Sequence, residues 1–138
     1  MSRHWIYPAN PKIFLLEEAF RAEEVFWPMS SKVAIGDTVF IYAGAPYKRI
    51  LFQTKVVEIG LPPEVAMDFG KKFVRVEGKA PNKPFMQLVF EQAFEPKALS
   101  PLSFVLLREN GLKGSIMGPQ CLENNPELFA YIKKMIEE

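Results

Sequence analysis

The run Thr38-Val39-Phe40-Ile41-Tyr42 constrains the fold more than any other stretch of the chain. Consecutive β-branched and aromatic residues favour an extended backbone. Because the side chains of a strand alternate between its two faces, a run that is apolar at both parities is apolar on both sides. Such a strand is expected at the centre of a sheet, with material packed on each face. Gly36-Asp37 supplies the turn in front of it, and an Asx hydrogen bond accounts for Asp37 without catalysis.

The neighbouring segments read as further strands and capped helices. His4-Trp5-Ile6-Tyr7 reads as a short first strand ending at Pro8. Ile50 to Ile59 reads as a long strand, with Phe52, Thr54 and Val56 on one face and Leu51, Gln53, Lys55 and Val57 on the other. Phe73 to Val76 and Phe85 to Phe90 add two more strands, and Ser115-Ile116-Met117 a short last one. Asn10-Pro11, Ser100-Pro101 and Asn125-Pro126 each place an N-cap residue before a proline that needs no N–H partner, and so predict three helix starts. The first helix is expected over about residues 11 to 24, with Leu16, Ala19 and Phe20 inward. Pro62-Pro63 can open a short helix, Gly111 is expected to end the Ser100 helix, and the last helix turns Leu128, Phe129, Ile132 and Ile136 inward. Phe26-Trp27-Pro28-Met29-Ser30-Ser31-Lys32 reads as a loop. The sum is an α+β chain, a curved sheet of about five or six strands with helices packed on it.

With 138 residues, 49% of them hydrophobic and 24% charged, the chain suits one globular domain with a single core, covering 1–138, and not a disordered one. The single cysteine, Cys121, cannot pair within the chain, and no signal-peptide pattern is read at the N-terminus, so the cytoplasm is the expected compartment. No apolar stretch approaches the roughly 20 residues of a membrane span. A net charge of +1 gives no global pull on nucleic acid. Between Lys48 and Lys83, however, Lys48, Arg49, Lys55, Lys71, Lys72, Arg75, Lys79 and Lys83 face only Glu58, Glu64, Asp68 and Glu77. Two roles fit this excess: solvated strand edges, or a one-sided patch facing phosphate.

Catalytic chemistry finds little foothold. One histidine and one cysteine do not make a metal site, and the glycine-containing segments lack the spacing of a phosphate-cradling loop. No cofactor is implied. His4 and Cys121 could form a base and a nucleophile only if the fold joined them, and otherwise are a strand-edge histidine and a small core thiol. No pair of acids has a spacing that suggests general acid and base. Aromatic residues are more suggestive: Trp5, Trp27, Tyr42 and Phe104 stand beside turns and helix starts, where a planar base could stack on them. Trp27 reads equally as a ligand platform and as a core anchor.

His4-Trp5-Ile6-Tyr7-Pro8-Ala9-Asn10-Pro11, then Trp27, then Gly36 to Tyr42, then Leu99 to Phe104 with Gly111-Leu112-Lys113-Gly114-Ser115 and Gly118-Pro119-Gln120-Cys121-Leu122, together resemble the EVE domain of the PUA-like superfamily, whose relatives include YTH and ASCH domains. The resemblance covers nearly the whole chain. It implies a PUA-like pseudo-barrel of mostly antiparallel strands flanked by about four short helices, and a non-enzymatic module reading a modified base in DNA or RNA, as a monomer or homodimer. It also implies a pocket bordered by Pro8, Ala9 and Asn10, with Trp27 stacking and Ser30 and Ser31 hydrogen-bonding. Tyr42, Leu102 and Phe104 would complete the wall, and Lys48, Arg49, Lys55, Lys71, Lys72 and Arg75 would face phosphate. The competing expectations are a small nucleoside-directed hydrolase on the same scaffold, needing a buried lysine, threonine and glutamate together, and a protein-interaction domain.

Overall fold

The computed structural model describes residues 3–9, 25–28, 32–44, 47–62, 84–94, 102–114, 116 and 118–137. Six strands form one sheet in the order β2-β5-β4-β3-β1-β6. They are β1 (His4–Ala9), β2 (Val25–Pro28), β3 (Thr38–Ala43), β4 (Arg49–Leu61), β5 (Phe85–Ala93) and β6 (Gln120–Cys121). Two α-helices, α1 (Phe104–Glu109) and α2 (Pro126–Glu137), and a 3-10 turn (Leu122–Asn124) complete the described elements. No described helix is long and apolar enough to cross a membrane.

The run that opened the sequence reading forms β3, flanked by β1 in parallel and β4 in antiparallel register. Its alternate side chains enter two separate cores. Val39, Ile41 and Ala43 pack with Trp5, Tyr7, Trp27, Phe52 and Met86 on one face. Phe40 and Tyr42 pack with Ile6, Ile50, Leu107, Leu128 and Ile132 on the other, under the two helices. The second of these is the helix-covered face.

Three sequence expectations need correction. Among the described residues the sheet is not a closed barrel: β2 and β6 are its two edges, and β6 pairs with Trp5 and Ile6 of β1. Two α-helices, not about four, are found among the described residues. Those expected at 11–24 and after Pro62-Pro63, and the strand at Phe73 to Val76, lie outside them, as do Ser115 and Met117. Finally, the faces of β4 are not simply alternating. Ile41 lies opposite Phe52 but Tyr42 opposite Ile50, which leaves Leu51 as the extra residue of a bulge. Leu51 and Phe52 therefore share one core while Ile50 enters the other.

The C-terminal helix starts as its sequence dictates, the Asn125 side chain accepting from Leu128 N at 3.3 Å ahead of Pro126. Leu128 and Ile132 are fully buried, with Phe129 and Ile136 partly so. Gly111 follows α1 at φ +116°, where a Cβ would stand 3.0 Å from the backbone nitrogen of Leu128, so only glycine lets the two helices approach.

Asp37 is 1% exposed and saturated with donors. Its Oδ1 accepts from Arg3 N at 2.9 Å, and its Oδ2 from the Trp5 indole at 2.9 Å and Ala34 N at 3.0 Å. Burial on its own would raise its pKa. The hydrogen bonds from Arg3, Ala34 and Trp5, with the Arg3 charge, outweigh it and hold the carboxyl below its usual 3.8. Since the folded-state pKa is the lower one, the unfolded chain binds the extra proton. The stability Asp37 contributes is present above its unfolded pKa and is lost as pH falls through the folded value. Asp37→Ala is expected to destabilise the domain by about 3–5 kcal/mol, from three donors losing a charged acceptor. In urea unfolding across pH, Asp37→Asn should also flatten the acid limb seen for the parent chain.

Candidate functional site

At one end of the sheet β1 and β3 finish together, Pro8 beside Tyr42 and Ala9 beside Ala43. Gly44 N bonds back to Ala9 O at 2.9 Å, and Gly44 O accepts from Tyr47 N and Lys48 N, which turns the chain into β4. Lys48 takes φ +50°, a left-handed conformation that costs a side-chain-bearing residue about 1 kcal/mol.

The segment 102–104 pairs across this turn. Ile50 N donates to Leu102 O at 3.1 Å, Phe104 N donates to Lys48 O at 2.8 Å, and Arg49 bridges Ser103. This pairing holds Leu102 extended, so α1 begins at Phe104 with Ser103 as its cap, the hydroxyl accepting from Leu106 N at 3.5 Å. The cap expected at Ser100-Pro101 lies outside the described residues, and the helix starts later than the sequence reading placed it.

Cations and rings meet here. The Phe104 ring stands edge-on to Tyr42 with centroids 6.4 Å apart, and the Arg108 guanidinium lies 5.8 Å from the Phe104 centroid. Arg49, half-buried, donates its Nε to Tyr47 O at 2.9 Å, and Lys48 is exposed. Tyr42 is 7% exposed, and its burial pushes the phenol pKa above 10.0.

Of the residues expected to contact a ligand, Pro8, Tyr42, Leu102 and Phe104 thus converge on the helix-covered side, with Lys48 and Arg49 at its rim. Ala9 adjoins them in sequence but belongs to the opposite core. Trp27 is not with them. It lies in a strand, not a loop, paired with Met86 at the sheet edge, and is 5% exposed in the opposite core. Lys55 is exposed farther along β4, opposite Thr38 and Val89. Asn10, Ser30, Ser31, Lys71, Lys72 and Arg75 lie outside the described residues. Arg108 went unnoticed in the sequence reading. Its spacing of four from Phe104 on a helix was the available signal.

His4 and Cys121 do come close to one another, but around a carboxylate. Glu123 accepts from His4 N at 2.7 Å, shares a 2.8 Å bond with His4 Nδ1, and accepts from the Cys121 thiol at 3.5 Å. Burial would raise the Glu123 pKa, and these bonds and the His4 charge bring it below the ordinary value. Glutamate, not histidine, stands in the middle, so the imidazole is not placed to take the thiol proton. The grouping ties β6 and the 3-10 turn to β1, with the His4 ring 4.5 Å from that of Phe129. No described group of three His, Cys, Asp or Glu could hold a metal ion. The lysine, threonine and glutamate of a hydrolase do not converge among the described residues either. Thr54 is buried but donates to Val39 O at 2.9 Å, and every described lysine is exposed.

No protein-family model matches this chain. No curated protein matches it in sequence. Solved structures do match in shape. A hypothetical protein from Leishmania major superposes with a TM-score of 0.67 at 14% identity, covering 99% of this chain and 96% of that one. The ASCH protein from Zymomonas mobilis gives 0.64 at 13% identity, covering 96% and 94%. Human THYN1, solved in complex with DNA containing 5-methylcytosine, gives 0.62 at 15% identity, covering 99% of each chain. The chain shares the fold of these structures. At these identities the likeness is one of fold.

Within this fold Trp27 is a core residue by burial. Trp27→Ala is therefore expected to cost about 3–5 kcal/mol of stability, read as a lowered urea midpoint. A variant that unfolds at the parent's midpoint would contradict that placement.

Proposed function

We propose that this chain is a nucleic-acid-binding module of the EVE type that holds a modified base and does not transform it. The observation that carries this reading is the convergence at one sheet end of two aromatic rings, Tyr42 and Phe104, with three cations, Lys48, Arg49 and Arg108. The partly exposed Phe104 ring offers a flat base a stacking surface worth about 1–3 kcal/mol, with the buried Tyr42 ring behind it, and cations at the rim meet the phosphates on either side of it. The order of sequence features shared with EVE domains and the shape shared with THYN1, itself solved with methylcytosine DNA, support the same reading.

The test is fluorescence anisotropy with short single- and double-stranded DNA and RNA carrying cytosine, 5-methylcytosine or 5-hydroxymethylcytosine. One modified strand is expected to bind more tightly than its unmodified counterpart. Lys48→Ala and Arg108→Ala should weaken all strands alike and each lower the slope of log affinity against log salt by about 1. Binding to none of the strands would sink the proposal. So would chromatographic detection of an altered nucleoside after incubation, which would move the chain to the hydrolase class.

A further inference from the structure

The polar groups of the buried residues Asp37, Trp5 and Thr54 are paired. Asp37 accepts three bonds, the Trp5 indole donates to it, and the Thr54 hydroxyl donates to Val39 O. Tyr42 breaks this pattern. It is more than nine-tenths buried, yet its hydroxyl makes no hydrogen bond among the described residues. Buried tyrosine hydroxyls ordinarily find a partner.

Its surroundings explain why the fold supplies none. The neighbours across the strands are Pro8 and Ile50, the ring beside it is Phe104, and the same core contributes Leu102. None of these side chains carries a hydrogen-bonding atom. Nor is the hydroxyl sealed in. Among the described residues the side-chain oxygen both closed to solvent and unpartnered is Gln53 Oε1, not that of Tyr42. Tyr42 thus has a buried ring and an open, unspent tip. Phenylalanine would fill the same core volume, so packing alone does not account for the hydroxyl.

We propose that the Tyr42 hydroxyl is a specificity-determining donor that hydrogen-bonds an acceptor on the bound base, a carbonyl oxygen or ring nitrogen. This rests on the nucleic-acid reading above and adds to it the group that reads the base edge. Burial keeps the phenol protonated at neutral pH, so it offers its proton to an acceptor. The ring is held on both sides by strands and edge-on by Phe104, which leaves the hydroxyl little freedom to lose on binding.

The experiment compares the parent chain with Tyr42→Phe on the tightest-binding strand from the screen and on the same strand with an abasic nucleotide at the modified position. Loss of the hydroxyl should weaken the intact strand by about two- to tenfold. It should leave the abasic strand unaffected and leave the thermal midpoint equal or higher. Equal affinity of both proteins for the intact strand overturns the inference while the binding function stands. An equal loss on both strands also overturns it, because the hydroxyl would then contact the backbone. A parent chain that binds no strand removes the functional reading itself, and the inference falls with it.

Discussion

The Asp37 carboxylate ties together three stretches of chain: the residue before β1, the Trp5 side chain within β1, and the turn that leads into β3. β1 and β3 run parallel, and no hairpin can set the register of a parallel pair. A slip of one residue would exchange the faces of every side chain in β1. Held by Asp37 at its start, the pair runs in step from His4 beside Thr38 to Ala9 beside Ala43. That places Pro8 against Tyr42 at the far end. The candidate site at the far end of the sheet is thus positioned by a bond network at the opposite end, four residues of strand away from Tyr42 by the count from Thr38.

Local signals were legible wherever one short stretch decided the outcome. The apolar parity of Val39 to Tyr42 revealed a strand buried on both faces, and Asn125-Pro126 marked where α2 begins. Structure that depends on distant pairing was not legible. Trp27 reads as a loop residue beside Pro28, and only β5 at its side makes it a strand. Ser103 rather than Ser100 caps α1 because Leu102 is drawn into a bridge with β4. The Leu51 bulge exists only relative to β3, and the Glu123 grip on His4 spans 119 positions.

The same division explains the candidate site. Tyr42, Leu102 and Phe104 were named from resemblance and from their place beside turns, and the fold gathers them because 102–104 pairs with the start of β4. Trp27 was named with them and went to the other core. Residues of one sheet share a site only when their registers put them on one face, and no alternation within β2 reveals the face of a strand separated from β3 by two others.

The two ends of the β1–β3 pair differ in what they leave unspent. At the Asp37 end every oxygen of the carboxylate is used and the backbone turn is closed by Val56 and Gly36. Such an end stabilises, and has nothing left to offer a ligand. At the Tyr42 end Lys48 sits in a left-handed conformation, Arg108 lies over the Phe104 ring, and the Tyr42 hydroxyl has no partner among the described residues. The first costs stability that a glycine would avoid, and the last adds nothing to the core that a phenylalanine would not. Departures from the rules of folding that gather in one place mark where a binding site is to be sought. The bonds at the Asp37 end hold the register between the strands independently of those departures.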